Sequence, residues 1–227
     1  MPLLNPTQQP IVTTADKIFT TLQSDIVEGN IAAGTKISEP ELAKKYDVSR
    51  ATLREALSRL EKCHLIEKKP NVGARVIDCS VEHLLDIYLV REALEGMACR
   101  LAAQNMSDEE IVDMQNMLKA HGEKQDLKDG VGYYQEEGDL DFHYRVIQGA
   151  HNIQLTELLL GQLYHVIRMY RCQFGMNSPR ASKAFTEHAA IVQAIADRDG
   201  ELAEILMRRH IAASRKNIEN KIQQVSA

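Results

Sequence analysis

From Ser80 to Val225 apolar residues recur three and four positions apart, and nowhere in that stretch do they settle into the every-second-residue alternation of a strand. A chain patterned this way over most of its length is confined to packed helices. Helices are predicted over 80–105, with Ser80 as cap, over 108–124, boxed by Ser107 and Glu110, and over 133–149, 153–174, 180–198 and 201–225. With only 5% aromatic residues and no Trp, the chain is dominated by residues that lose little side-chain entropy in a helix. The expected fold class is mostly α, with an all-α antiparallel helical bundle over residues 79–227. No internal repeat or low-complexity tract interrupts it.

The first third of the chain is patterned differently. Residues 1–11 read as a flexible tail. Ile18, Phe19, Leu22, Ile26 and Val27 then mark one helix, stopped by Gly29. Ser38 and Glu41 have capping-box spacing, and Pro40 falls in the first turn, where its missing N–H costs no hydrogen bond. Asp47 and Val48 make a turn, and Ser49 caps a third helix whose Leu53, Ala56, Leu57 and Leu60 form a buried face. Two short helices so closely spaced predict a helix-turn-helix. Leu65 and Ile66, then Ala74 to Ile77, are β-prone runs about Pro70-Asn71-Val72-Gly73, which predicts a β-hairpin wing. Residues 12–78 are therefore expected to form a winged helix-turn-helix, with Asp78 to Ser80 as linker.

Charge separates along the same line. The net charge of −5 disfavours nucleic acid for the chain as a whole, but residues 1–78 carry 11 Lys or Arg against 10 Asp or Glu, and residues 79–227 carry 16 against 22. Within Ser49–Arg75 seven basic residues face three acidic ones, so this stretch is suited to phosphate. Cys63, Cys79, Cys99 and Cys172 contain no C-x-x-C pair, which excludes a zinc ribbon or a thioredoxin-type motif and fits reduced thiols. No stretch approaches the roughly 18 apolar residues of a membrane span, and the start of the chain lacks signal-peptide regions. The expectation is a cytoplasmic protein.

Recognition helices read DNA from their N-terminal end. Here that end is Ser49-Arg50-Ala51-Thr52-Leu53-Arg54. Arg50 and Arg54 are one turn apart and off the Leu53/Leu57/Leu60 stripe, so either suits a fork onto guanine O6 and N7, while Ser49 and Thr52 suit backbone phosphate. Lys68, Lys69 and Arg75 flank the wing turn, where Gly73 allows close backbone approach. Ile37 to Ala43, Val48 to Leu57, Leu60-Glu61 and the Gly73 wing together resemble the winged-helix domain of GntR-family bacterial transcription regulators. The resemblance implies DNA contacts from Ser49, Arg50, Thr52, Arg54 and Gly73. One departure is Pro40, which stands where many members carry an arginine used on DNA.

Three of the eight histidines fall on apolar stripes: His143 with Val146, Ile147 and Ala150; His188 with Ile191, Val192 and Ile195; His210 with Ala203, Leu206 and Met207. Either they are neutral core histidines or they converge on an ion. Asp139 lies one turn before His143 on the same side, with Asp141 as its rival two residues away on another face. One carboxylate and three imidazoles suit zinc first, or nickel, manganese or iron, with a position left open. Arg91 lies on the stripe Leu84, Ile87, Tyr88, Ala98. It either pairs with Glu95 one turn on or forks onto a ligand carboxylate. Asp139 to His143, Asn152, Glu187-His188 and Met207 to His210 resemble the metal-binding motifs of the FCD-type effector domain found in the FadR-like branch of the family. That resemblance implies a metal held by Asp139, His143, His188 and His210, and an effector-facing Arg91. Arg168 and Tyr170 are further candidates.

The expected function is a ligand-responsive regulator, a repressor, that binds an operator as a symmetric homodimer and is controlled by a small organic acid at the metal. The competing reading is a metal-dependent hydrolase or lyase, for which Asp141 and Glu187 offer the only bases. Leu163 to Arg171 together with Arg198 to Glu204 also resemble regulators of propionate and 2-methylcitrate catabolism.

Overall fold

The computed structural model describes residues 12–69, 73–78, 80–123, 137–173 and 180–225; side chains at 137–141, 171, 173, 181 and 221–225 are outside that description. The expected tail at 1–11, the wing-turn residues 70–72 and the start of the helix predicted from 133 lie outside the described residues. The chain divides into two compact units, residues 1–78 and 79–227.

In the first unit, α1 (Thr14–Val27), α2 (Glu39–Lys45) and α3 (Arg50–Lys62) accompany three short strands, β1 (Lys36–Ile37), β2 (Ile66–Lys69) and β3 (Gly73–Val76). Thr13 and Asp16 close a reciprocal capping box on α1. Leu53, Ala56, Leu57 and Leu60 turn inward from α3 onto Leu22 and Ile26 of α1 and onto Leu65, Ile66 and Val76 of the sheet region, all of them buried. The sheet is antiparallel in the order β1-β3-β2, with Lys36 opposite Arg75 and Glu67 opposite Arg75 on the other side. The expected wing strands pair as β2 and β3, and β1 adds a third strand that the sequence does not announce, because two residues, Lys36-Ile37, are too few to display alternation. Ser38 precedes α2 but makes no side-chain cap, so the expected Ser38/Glu41 box is not formed; Glu39 is already the first helical residue and Pro40 the second. Ser49 does cap α3, accepting from Thr52 N at 3.1 Å.

The second unit is helical: α4 (Val81–Asn105), α5 (Asp108–Gly122), α6 (Glu137–Gly149), α7 (Ile153–Leu158), α8 (Tyr164–Gln173), α9 (Ala181–Ala196) and α10 (Gly200–Val225). Ser80 and Ser107 cap α4 and α5 as expected, and Asn152 caps α7. The single helix expected over 153–174 is interrupted by a π-helical turn at Leu159–Leu163, which re-phases the side chains that follow it. α4 packs along α10 and against α6, and α9 lies on α10 and α5. Ala98, Cys99, Ala102 and Ala203 are buried, and such small residues let helices approach closely. Among the described residues no helix is long and apolar enough to cross a membrane.

Candidate DNA-reading face and buried histidine centre

The N-terminal end of α3 is exposed. Ser49 Oγ lies 2.8 Å from Thr52 Oγ1 while it caps the helix, so both hydroxyls belong to one small polar turn. Arg50 and Arg54 project from it, and Arg54 Nε donates to Glu39 Oε2 at 2.8 Å. On β2, Lys68 pairs with Glu61 at 2.9 Å and Lys69 with Glu67 at 2.8 Å. Gly73 sits at φ +94°, a conformation strained for any other residue, and a Cβ there would meet nothing within 4 Å. Bare backbone is therefore presented outward.

The second unit carries a buried polar centre. His143 comes from α6, His188 from α9 and His210 from α10. All three are buried, and one nitrogen of each lies within 4.8 Å of the others. His188 Nε2 stands 3.1 Å from His210 Nε2, and the His188 ring stacks on Phe142 at 3.8 Å between centroids. Two carboxylates set the tautomers. His143 Nδ1 meets Glu95 Oε2 at 2.5 Å, and His210 Nδ1 meets Glu187 Oε2 at 2.8 Å. A proton on each Nδ1 leaves Nε2 as the lone-pair nitrogen, the arrangement that metal-binding histidines adopt. Two nitrogens each about 2.0–2.1 Å from one ion, at tetrahedral to octahedral angles, stand roughly 2.9–3.4 Å apart. The 3.1 Å pair fits, and the three-histidine cluster is consistent with a metal site. Asp139 lies in α6, but its side chain is outside the described residues.

Arg91 is almost wholly enclosed, at 1% exposure, beside this cluster. Its Nε donates to Glu95 Oε1 at 2.6 Å and its Nη2 to the Tyr164 hydroxyl at 3.4 Å, which in turn donates to Glu95 Oε2 at 3.3 Å. The rings of Tyr88 and Tyr164 lie 4.8 and 5.5 Å from the guanidinium carbon. Arg91 Nη1 is buried and has no hydrogen-bond partner among the described residues. Burial pushes the Glu95 carboxyl up, but Arg91 and then His143 overcome it and bring the pKa to about 2. Burial likewise works against charge on Arg91, and Glu95 above all holds it protonated. Glu95 therefore joins the arginine to the histidine cluster as a charged bridge.

The FCD domain family matches residues 86–213, more than half of the chain, and the gntR family of bacterial regulatory proteins matches residues 14–76. The chain belongs to the GntR family and carries an FCD domain. This GntR/FCD regulator is 31% identical over 201 residues to the uncharacterized HTH-type transcriptional regulator BphR of Paraburkholderia xenovorans strain LB400, covering 86% of this chain and 81% of that one. It is 28% identical over 223 residues to the HTH-type transcriptional repressor RspR of Escherichia coli strain K12, covering 98% and 92%. The solved structure of E. coli McbR/YncC matches with a TM-score of 0.73 over 93% of this chain and 100% of that one, at 18% identity, a likeness of fold. BphR and RspR are transcription regulators, not enzymes. The regulator is a DNA-binding protein whose FCD domain implies effector binding.

Of the two alternatives open for Arg91 in sequence, the internal pair with Glu95 forms in the GntR/FCD regulator. Glu187, considered in sequence as a base, is occupied by Arg180, at 2.5 Å to its Nη2, and by His210. Arg180 also donates to the His210 carbonyl at 3.0 Å. Sequence periodicity does not point to Arg180 or Tyr164, because contacts such as Arg180 to His210 and Tyr164 to Arg91 and Glu95 join residues 30 or more positions apart. Of the weaker candidates, Arg168 is exposed. Tyr170 is buried, with its hydroxyl accepting from Ser80 N at 3.1 Å and 3.2 Å from His83 Nδ1, so it anchors the start of α4.

Proposed function

We propose that this regulator is a repressor released from its operator by a small organic acid bound at a metal in the FCD domain. Arg50 and Arg54 would read base edges, Ser49 and Thr52 would hold phosphate, and Lys68, Lys69 and the Gly73 backbone would steady the wing on DNA. Operator symmetry calls for a homodimer, with two copies presenting two reading helices. His143, His188 and His210, with Asp139 as fourth ligand, would hold a divalent cation, zinc before nickel, manganese or iron. When bound, that cation supplies a Lewis-acidic position for one carboxylate oxygen.

The observation that carries this reading is the enclosed Arg91 Nη1, a donor with no partner among the described residues, on a guanidinium that Glu95 ties to His143. A buried donor without a partner costs free energy, and a ligand carboxylate would recover it by a charge-assisted bond. Tyr88 and Tyr164 keep the guanidinium plane oriented meanwhile. The repressor assignment is supported by the likeness to RspR.

The test starts with metal analysis of the purified protein and a thermal-shift screen of small organic acids, propionate and 2-methylcitrate among them. An acid that stabilises the metal-loaded protein should also release it from a duplex recovered by selection from a random pool. Arg91→Ala should retain metal and DNA binding and lose the response to acid. Release of Arg91→Ala at the wild-type acid concentration would refute the reading, as would steady turnover of the acid.

A further inference from the structure

Four exposed or half-exposed cations of the winged unit, Arg54, Arg59, Lys68 and Lys69, are paired with carboxylates of the same unit. The Arg54 pair differs from the others in where it grips. Glu39 Oε2 takes Nε, the inner nitrogen of the guanidinium, and leaves the Nη1/Nη2 edge pointing on along a side chain that is 67% exposed. That outer edge is one of the two faces an arginine can fork onto guanine O6 and N7; the other uses Nε and is engaged here. Arg50, one turn earlier, has no ion pair among the described residues.

Stability does not account for the contact. Exposed ion pairs contribute about 0–1 kcal/mol and lose part of that to side-chain ordering. Glu39 also complements the start of the α2 dipole, but Glu41 stands in the same first turn and does that without touching Arg54. Glu39 is the first residue of α2 and is followed by Pro40, so its backbone is fixed just where it has to reach α3.

We propose that Glu39 is a positioning residue for DNA sequence reading: it holds Arg54 by Nε so that only the outer edge is presented to a base. The proposal rests on the assignment of Arg54 to base contact made above. A carboxylate on a DNA-facing surface also repels phosphate, so Glu39 exchanges general affinity for discrimination. Its removal should move the two in opposite directions, which no purely structural role would do.

The full-length protein is used with a duplex selected by the wild type from a random-sequence pool, with single-base-pair variants of that duplex, and with an unrelated duplex. Wild type, Glu39→Gln, Glu39→Ala, Arg54→Ala and the Glu39→Ala/Arg54→Ala double variant are compared. Preference at the base pair sensitive to Arg54→Ala should fall by about tenfold in both Glu39 variants, within the range of one bidentate pair. Binding to the unrelated duplex should hold or tighten. In the Arg54→Ala background, Glu39→Ala should change that preference no further. The proposal is overturned if the Glu39 variants keep wild-type preference there while Arg54→Ala loses it, or if they weaken every duplex equally. If Arg54→Ala alters no base preference at all, the base-reading role of Arg54 fails and the proposal falls with it.

Discussion

His143 Nδ1 lies 2.5 Å from Glu95 Oε2 although the two residues are 48 positions apart. The other oxygen of the same carboxylate takes Arg91 Nε at 2.6 Å, so one buried side chain serves both the metal-binding candidate and the ligand-binding candidate. Glu95→Gln keeps the shape and removes the charge. Leaving a buried Arg91 without its counter-charge should destabilise the protein by about 3–5 kcal/mol in urea unfolding. Zinc affinity by chelator competition should fall about 10- to 100-fold, as for other partners of metal-bound histidines. Unchanged zinc affinity in a folded Glu95→Gln protein would detach Glu95 from the site.

How far the sequence revealed this centre follows from the range of each interaction. The three histidines were legible because each falls on an apolar stripe of its own helix, and the Arg91/Glu95 pair because it spans one turn. The bridge to His143, the Tyr164 hydroxyl and the Arg180–Glu187–His210 chain were not, since they depend on how α4, α6, α8, α9 and α10 pack. In the winged unit the reverse cases are instructive. Ser49 both looked like a cap and is one, whereas Ser38 has the right spacing to Glu41 and makes no cap. β1 went unseen because two residues carry no period.

Three helices meet at His143, His188 and His210, so an ion held there should staple α6, α9 and α10 together. Zinc at 100 times its dissociation constant should add about 2.7 kcal/mol by mass action. A chelator should therefore lower the melting temperature of wild type, and His188→Ala should show no chelator-dependent shift. A wild-type melting temperature indifferent to both zinc and chelator would return the three rings to the core.

Arg50 and Lys68 should separate by salt dependence. Arg50→Ala should cost about 1–3 kcal/mol on the selected duplex and less on an unrelated one. Lys68→Ala should weaken both and lower the slope of log affinity against log salt by about one unit. Because Lys68 is shared with Glu61 at 2.9 Å, Glu61→Gln should tighten binding to both duplexes alike. Equal losses on the two duplexes for Arg50→Ala would leave it with phosphate alone.

Asp16 ties the start of α1 to the reading helix. Its carboxylate accepts from the Thr13 hydroxyl and backbone N–H, and Arg59 of α3 donates to its other oxygen at 2.5 Å. These contacts, the Thr13 hydroxyl first, then its N–H and then Arg59, bring its pKa from 3.8 to about 2. A folded pKa below the unfolded one means that the contribution is complete above the unfolded value and disappears as pH falls through the folded one. Asp16→Asn cannot titrate and cannot form the ion pair. Its melting temperature should accordingly lie below that of wild type from neutral pH down to about pH 4, and the gap should close as the pH approaches 2. Arg59 also lies over the Phe19 ring at 4.2 Å, so it should remain packed in the variant, and the loss should stay confined to the charge and the cap. A gap that persists unchanged at pH 2, or widens there, would show that Asp16 acts through packing and not through its charge.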